Sequence, residues 1–211
     1  MTKERKNHWE TIYQSKEPHQ LSWTQEIPQI SLDFIYLLNL DKAAAIIDIG
    51  GGNSNLVNFL INDGYTNITV LDISAKALDK TKKRLGDRAE TVNWIVGDVT
   101  EFEPATMFDV WHDRAAFHFL TTRKDIAKYI KITKKCVTGH IIIGTFSKNG
   151  PRKCSDLDVR QYSEETLINK FKHEFKKNCC RTKKHVTPFG TAQEFLFCCL
   201  KRQKPHTNFN L

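Results

Sequence analysis

The chain has 211 residues, 40% hydrophobic and 27% charged, a balance that fits one folded domain and excludes a disordered polymer. No apolar stretch approaches the ~18 residues of a membrane-spanning helix, and the charged amino terminus leads into no apolar export signal, so we expect a cytoplasmic protein without membrane association. The formal net charge of +8 falls entirely in residues 147–211, where we expect a solvated basic face, because no aromatic-rich RNA-binding signature accompanies it.

The first predicted elements are a leader, a helix, a strand and a second helix. Residues 1–26 are polar with spaced aromatic side chains, Trp9, Tyr13 and Trp23, and we interpret them as a leader or lid ahead of the core. A helix begins at Pro28. Residues 44–49 then predict a buried strand that three glycines end, and the second helix stops near residues 63–64.

Strands and helices alternate over the next part of the chain. Strands are predicted over residues 68–71, 92–96, 108–112 and 140–146, and helices over residues 74–85 and 124–136. Ser74 is the expected cap of the first of these helices, because its hydroxyl can accept a hydrogen bond from an unpaired amide of the first turn. The alternation predicts a parallel sheet wound by helices on both faces.

The last part of the chain has a different rhythm. A short helix is predicted over residues 163–171, followed by two strand-like runs over residues 175–186 and 193–201. A turn at residues 188–190 separates the two runs. They therefore predict an antiparallel hairpin at an edge of the sheet.

Six cysteines in a chain without an export signal are expected to be reduced thiols. Four of them form two adjacent pairs, Cys179 with Cys180 and Cys198 with Cys199. Neighbours on a strand point to opposite faces, so such a pair cannot chelate a metal as a Cys-x-x-Cys pair does. We therefore expect neither a disulfide framework nor a metal site.

The residues after the first strand form a glycine-rich turn that contains Gly50, Gly51 and Gly52. Ligands of open α/β sheets bind outside the carboxyl ends of the strands, and glycines there let the backbone approach a ligand closely. The dinucleotide fingerprint has its third glycine where this chain has Asn55, which disfavours a nicotinamide dinucleotide.

Two acids end the next two strands. Asp72 follows the second strand, where a carboxylate can accept hydrogen bonds from both hydroxyls of a ribose. Asp98 follows the third strand, where an acceptor can meet the amino group of an adenine. The glycine turn and the two acids, in this order, predict a ligand that contains adenosine.

With these motifs the chain resembles the class I S-adenosylmethionine-dependent methyltransferases over roughly residues 28–201. The motifs that carry the resemblance are residues 46–52, 70–74, 96–99, 108–114 and 137–140. The resemblance implies one Rossmann-like, doubly wound domain whose seven-stranded sheet is mostly parallel with an antiparallel carboxy-terminal hairpin. The expected division is a leader over residues 1–26, a core over 27–201 and a tail over 202–211. The resemblance also implies S-adenosylmethionine as the cofactor and S-adenosylhomocysteine as the product.

The resemblance implies cofactor contacts from eleven residues, most of them at strand ends. They are Trp23, Asp48, Gly50, Gly51, Gly52, Asn53, Asp72, Ile73, Asp98, Val99 and Asp113. Asp113 is expected to orient the methionine portion of the cofactor, and Arg114 to pair with its carboxylate, with Asp113 or with a core acid. Trp23 either lies against the cofactor or acceptor or only pins the leader to the core.

His112 and His118 are the candidate catalytic bases. An imidazole titrates near neutral pH and can take a proton from a thiol, an amine or a hydroxyl. The alternative for His118, which lies between Phe117 and Phe119, is a packed helix residue.

The methyl acceptor is open between three hypotheses. The stretch Trp111-His112-Asp113-Arg114-Ala115 resembles thiopurine-type methyltransferases and favours a small-molecule acceptor. The aromatic leader is also similar to that of a branch of protein-lysine methyltransferases, and a non-catalytic cofactor-binding module is the third hypothesis. The fourth motif lacks the Asn/Asp-Pro-Pro-Tyr/Phe pattern of enzymes that methylate amino groups of DNA and RNA, which disfavours a nucleic-acid partner.

Overall fold

A seven-stranded sheet forms the centre of the protein, which we describe over residues 2–203 from a computed structural model. The strands are β1 (Ile46–Ile49), β2 (Ile68–Asp72), β3 (Val92–Val96), β4 (Phe108–Arg114), β5 (Val137–Phe146), β8 (Phe175–Val186) and β9 (Ala192–Arg202). Their order is β3-β2-β1-β4-β5-β9-β8; the first five are parallel, and β9 and β8 run antiparallel as a terminal hairpin. The predicted sheet is thus confirmed, whereas most of the predicted tail lies outside the described residues.

Six helices surround the sheet in the described chain. They are α1 (Thr2–Ser15), α2 (Gln29–Tyr36), α3 (Leu56–Asn62), α4 (Ala75–Leu85), α5 (Arg123–Cys136) and α6 (Glu164–Phe171). One apolar core lies between the sheet and α2, α3 and α4, and a second lies between the opposite face and α5 and α6. Adjacent residues of β1 show the division, because Ile46 packs in the first core and Ile47 in the second.

Local sequence explains where the helix α4 begins and ends. Ser74 Oγ accepts a hydrogen bond from the Ala77 amide at 3.2 Å, as its capping role predicted. Basic residues occupy the last turn, where they complement the helix dipole, and Gly86 ends the helix with a φ of 59°.

Two elements were not predicted. Residues 2–15 of the leader form the helix α1, which buries Trp9, Ile12 and Tyr13 and leaves most of its other side chains in solvent. The polar loop after β5 contains a small hairpin of β6 (Lys153–Cys154) and β7 (Leu157–Asp158). No helix among residues 2–203 has the length and apolar composition needed to cross a membrane.

The expectation of reduced cysteines was wrong for one pair, because Cys180 and Cys198 form a disulfide. The hairpin register places these residues opposite each other on β8 and β9, with their Cα atoms 4.2 Å apart. The prediction considered neighbours along a strand and missed the partner across it. Cys179 and Cys199, also opposite each other, are free thiols. Residues 2–203 contain no group of three or more His, Cys, Asp or Glu side chains that could hold a metal ion.

Candidate functional site

A cleft, called here the outer cavity, lies at the carboxyl ends of β1 to β4. Its volume is about 690 Å³ when the space at its open mouth is included. Strand ends and the segment after β4 line it from one side, and the leader covers it from the other. Of the residues that the sequence singled out, the following line it: Trp23, Gly50, Asp72, Ile73, Asp98 and Val99.

The glycine turn shapes the cleft through its backbone. Gly50 has a φ of 67°, in the left-handed region that favours glycine, and a Cβ there would lie 3.0 Å from Ala116 Cβ. A Cβ on Gly52 would lie 2.6 Å from Asp72 Oδ2, so glycine lets the turn approach this acid. Gly52 does not line the cavity, but its amide donates to Asp72 Oδ2 at 2.9 Å.

Asp72 is a buried carboxylate held from two sides. Besides the Gly52 contact, Oδ1 accepts a hydrogen bond from the Ser74 amide at 2.8 Å. Burial raises the pKa of Asp72 to about 6, and the carboxylates of Asp48 and Glu10 also raise it. Each carboxylate oxygen has two lone pairs, so Asp72 keeps acceptor capacity for a ligand in the cleft.

Asp98 pairs with the leader helix across the cleft. Its Oδ1 accepts from the Thr100 amide at 2.8 Å, and its Oδ2 accepts from Arg5 Nη1 at 3.0 Å. Arg5 Nη2 also donates to Asp125 Oδ2 at 3.1 Å. Arg5 was not predicted as a site residue, because nothing in local spacing connects it to an acid 93 positions away.

Aromatic side chains of the leader, together with Phe119, line the outer cavity. The ring centroid of Trp9 lies 5.7 Å from that of Trp23 and 5.0 Å from that of Phe119, both in edge-to-face geometry. Glu10 attaches the leader to the start of α4, because its carboxylate accepts from Ser74 Oγ and the Ala75 amide, each at 2.9 Å. The leader is therefore held over the cleft by aromatic packing and by hydrogen bonds.

A second cavity of about 500 Å³, the inner cavity, adjoins the outer one. The two share Tyr13, Trp23, Gly50 and Arg114. Four further residues that the sequence singled out line the inner cavity: Asp48, Gly51, Asn53 and His112.

A hydrogen-bonded chain of three buried side chains lies at the inner cavity. His112 Nδ1 is 2.7 Å from Asp48 Oδ1, and His112 Nε2 is 2.9 Å from Ser31 Oγ. An ionised carboxylate can only accept, so Nδ1 carries the proton that this contact needs. Both ring nitrogens of His112 are thus engaged within the protein. Asp48 Oδ2 is buried and has no hydrogen-bond partner among residues 2–203.

Arg114 lies between the two cavities with most of its donors unused. Nη1 donates to the Trp23 carbonyl at 2.9 Å, and the guanidinium lies 5.1 Å from the Phe195 ring centroid. The residue is partly exposed, but Nε and Nη2 are buried without a hydrogen-bond partner in the described part of the chain. Burial lowers the pKa of Arg114 to about 10, and Asp48 opposes this effect. The cavities therefore contain an unsatisfied cation.

Besides Gly52, two predicted site residues line neither cavity. His118 is fully buried; its ring stacks on Phe146 with centroids 4.4 Å apart, and its Nδ1 accepts from the Phe146 amide at 3.3 Å. Burial lowers the pKa of His118 to about 3, so the ring is neutral near pH 7. The structure therefore places His118 away from both cavities, in the packed position that was the alternative for this residue.

Asp113 also faces away from the cleft. It is fully buried in the second core; Oδ1 accepts from the Ala116 and Phe117 amides and Oδ2 from the Tyr129 hydroxyl at 2.7 Å. Successive residues of a strand point to opposite faces, so His112 and Arg114 share the ligand side while Asp113 cannot. The structure therefore places Asp113 outside both cavities, a position that the alternation along β4 indicates.

An open groove leads from the surface toward the inner cavity. This entrance groove lies between residues 18–27 of the leader and the hairpin tip at residues 185–188, and has a volume of about 1250 Å³. It shares Thr24, Gln25, Asn53 and Asn55 with the inner cavity. His185 Nε2 lies 2.7 Å from the Ser22 carbonyl oxygen, to which it donates, and so connects the two walls.

Comparison with known proteins relates this cleft to methyltransferases. A family model for the methyltransferase domain matches residues 46–138. A malonyl-[acyl-carrier protein] O-methyltransferase of Anoxybacillus flavithermus is 34% identical over 104 residues, which cover 48% of this chain and 38% of that protein. The chain spans about two fifths of the length of the curated relatives that it matches.

Solved structures share the fold over nearly the whole chain. A structure from work on the conversion of a disulfide bond into a thioacetal group in echinomycin biosynthesis has a TM-score of 0.76 at 16% identity, covering 94% of this chain and 93% of that one. The N-methyltransferase NodS of Bradyrhizobium japonicum, in complex with S-adenosylhomocysteine, has a TM-score of 0.66 at 14% identity, with coverages of 96% and 97%.

Proposed function

Because the chain belongs to the class I S-adenosylmethionine-dependent methyltransferases, we propose that it transfers the methyl group of S-adenosylmethionine to a small-molecule acceptor. The observation that carries the proposal is the buried carboxylate of Asp72, which the glycine turn holds at the edge of a covered cleft. The comparisons give no support to the protein-lysine alternative or to the non-catalytic module.

The outer cavity fits the adenosine part of the cofactor. Asp72 would accept hydrogen bonds from the ribose hydroxyls, and Asp98 would accept from the adenine amino group, with Ile73 and Val99 packing on the base. Trp23 would cover the cofactor from the leader side. When bound, the sulfonium supplies both the methyl group and its own leaving group. The residues of the chain then have to align the acceptor and exclude water.

The inner cavity fits the amino-acid end of the cofactor. Arg114 offers two unpartnered nitrogen atoms, Nε and Nη2, whose N–H groups suit a carboxylate, and Asp48 offers an unused oxygen, which suits an ammonium group. Buried polar groups without partners are costly, so a ligand with this pair of charges would be stabilised here. In this proposal Asp48 and Arg114, both singled out by the sequence, hold the methionine portion of the cofactor without Asp113.

The two cavities offer no free imidazole, and this favours an acceptor that needs no base. Both nitrogens of His112 are engaged, and His118 lies outside both cavities. A carboxylate is already ionised near pH 7 and can attack a methyl sulfonium directly. The Anoxybacillus flavithermus relative is by name an O-methyltransferase of a malonyl group. We therefore propose a carboxylate-bearing acceptor that enters through the entrance groove.

The proposal is tested by calorimetric titration followed by methyl transfer. We expect micromolar binding of S-adenosylmethionine and S-adenosylhomocysteine and no heat with NAD. With radiolabelled cofactor, short-chain mono- and dicarboxylic acids and their thioesters should accept label more readily than amines of similar size. Binding of NAD alone would contradict the cofactor, and transfer to amines alone would contradict the carboxylate acceptor.

A further inference from the structure

The hydrogen-bonded chain at the inner cavity has a role that goes beyond packing. We propose that Ser31 and His112 are positioning residues that hold Asp48 apart from Arg114, so that the two opposite charges stay open to an α-amino acid group. The inference rests on the proposed function, because the amino-acid end of the cofactor is the expected ligand.

Three separate elements supply the side chains of this hydrogen-bonded series. Asp48 lies near the carboxyl end of β1, and His112 is its direct register partner on the parallel strand β4. Ser31 comes from α2, 81 positions from His112, and reaches the far nitrogen of the ring. All three side chains are buried. The ring therefore has one orientation, set by an acceptor at one end and a hydroxyl at the other.

The charges of Asp48 and Arg114 face the same cavity without pairing. Asp48 stabilises the charged form of Arg114, yet no salt bridge or hydrogen bond joins them in the described chain. Opposite charges in a buried site attract strongly, and a free carboxylate would turn toward the guanidinium. The bond from His112 at 2.7 Å restrains Asp48 Oδ1 and leaves Oδ2 unpartnered.

The glycine turn leaves room for the unpartnered oxygen. A Cβ at position 51 would lie 2.2 Å from Asp48 Oδ2, so a side chain there would collide with this buried oxygen. Two unpartnered guanidinium nitrogens and one unpartnered carboxylate oxygen match the carboxylate and ammonium of an α-amino acid. S-adenosylhomocysteine carries this group, whereas 5′-methylthioadenosine has the same nucleoside without it.

The comparison of these two ligands tests the inference. Ser31→Ala removes one hydroxyl with little change of shape, and His112→Leu removes both ring nitrogens. We expect S-adenosylhomocysteine affinity to fall about fivefold in Ser31→Ala and about a hundredfold in His112→Leu, while 5′-methylthioadenosine affinity stays within about twofold. His112→Asn, which keeps a donor near the Nδ1 position, should recover about tenfold of the loss.

The remaining outcomes separate this inference from the proposed function. Equal losses for both ligands would show that Ser31 and His112 support the fold only, and would overturn the positioning role. Wild-type protein that binds S-adenosylhomocysteine no more tightly than 5′-methylthioadenosine would also overturn it, while the cofactor assignment stands. Wild-type protein that binds neither ligand would overturn both. Retained 5′-methylthioadenosine binding reports that each variant is folded.

Discussion

At the scale of single residues, the site consists of charges that the fold keeps in surroundings of low polarity. Asp48, Asp72 and Asp98 are all buried, and each is restrained by hydrogen bonds from backbone or side chains. A fixed carboxylate needs little reorganisation when it accepts a ligand hydroxyl or amine. In the proposed function these carboxylates are therefore ready to accept ligand groups without moving.

Asp72→Asn is expected to weaken S-adenosylhomocysteine binding by about 10- to 100-fold. The amide keeps the shape of the side chain but loses charge-assisted hydrogen bonds to the ribose, each worth roughly 1.5–3 kcal/mol. Calorimetric titration measures the effect, and Asp79→Asn, an exposed acid on α4, is the matched control. Unchanged affinity in Asp72→Asn would show that the ribose is held elsewhere.

The pH dependence of binding should follow Asp72. Burial raises its pKa to about 6 from 3.8, and the ribose hydroxyls donate to the ionised form. S-adenosylhomocysteine affinity is expected to rise from about pH 5 to about pH 7 and then level off, and Asp72→Asn should remove this rise. Titrations at intervals of about one pH unit measure it. A flat wild-type profile would argue against ionised Asp72 as the acceptor.

The raised pKa of Asp72 has the opposite effect on the stability of the ligand-free protein, which falls as the pH rises. The folded chain binds the Asp72 proton more tightly than the unfolded chain does, because the folded pKa is raised. The contribution of this group to stability is therefore present at low pH and is lost as the pH rises from about 4 to about 6. Asp113, whose pKa burial also raises to about 6, acts in the same direction.

At the scale of elements, the leader helix α1 forms one wall of the cleft. Arg5→Met removes its ion pair with Asp98 and Asp125, in which Asp98 is almost fully buried. A part-buried pair of roughly 1 kcal/mol corresponds to about a fivefold change, so we expect ligand dissociation to become about fivefold faster in stopped-flow measurements. Lys6→Met, an exposed neighbour on the same helix, should leave the rate unchanged. Equal dissociation rates in both variants would exclude a role of Arg5 in holding the leader over the cleft.

The disulfide of the terminal hairpin predicts how many thiols a reagent can modify. The chain has six cysteines, and four of them are free in the structure. A thiol reagent should therefore modify four cysteines in the denatured, unreduced protein and six after reduction. The Cys180–Cys198 bond closes a loop of 18 positions, for which about 3 kcal/mol of stabilisation is typical, so Cys180→Ser should unfold at lower urea than Cys179→Ser. Six reactive thiols before reduction would contradict the disulfide.

Elements with strong local signals were predictable, and those that depend on distant contacts were not. The strands follow apolar runs, and α4 follows its cap and its apolar spacing. The leader helix has few apolar residues, and a short helix of this kind is marginal alone; its packing on Trp23 and the contacts of Glu10 with α4 stabilise it. These partners are far away in sequence, so periodicity does not reveal them.

The site divides in the same way. Asp72 and Asp98 were predictable because strand ends in a parallel sheet meet at one edge. The hydrogen bonds that join Ser31, His112 and Asp48 were not predictable. Ser31 and His112 lie 81 positions apart in the sequence, and His112 and Asp48 lie 64 positions apart. The position of Asp113 was predictable in principle, since alternation along β4 separates it from its neighbours.

At the scale of the whole molecule, the basic residues of β8 form a solvent-exposed edge. Lysines and arginines of β8 are exposed, and β8 is the edge strand of the sheet. Charged side chains on an edge strand oppose pairing with the edge of another molecule. The exposed positions agree with the solvated face that the charge pattern predicted.

Ligand binding should stabilise the whole domain, because the leader, the strand ends and the glycine turn meet at one cavity. With free S-adenosylhomocysteine at about 100 times its dissociation constant, the free energy of unfolding should rise by about 2.7 kcal/mol. For a chain of this size this corresponds to a rise in Tm of roughly 5–10 °C, measured by scanning calorimetry. NAD is the control ligand, and an equal rise with NAD would contradict the selectivity.

The alternation along β4 limits how this protein can change over evolutionary time. One strand supplies His112 and Arg114 to the ligand cavities and Trp111 and Asp113 to the aromatic core behind the sheet. Loss or gain of a single codon within β4 would exchange these two sets of side chains. The guanidinium of Arg114 would then be buried among aromatic rings, and the indole of Trp111 would point into the ligand cavities. New acceptor specificities are therefore expected to arise by substitution, or by length changes in the leader and the hairpin tip, and not by insertions or deletions in this strand.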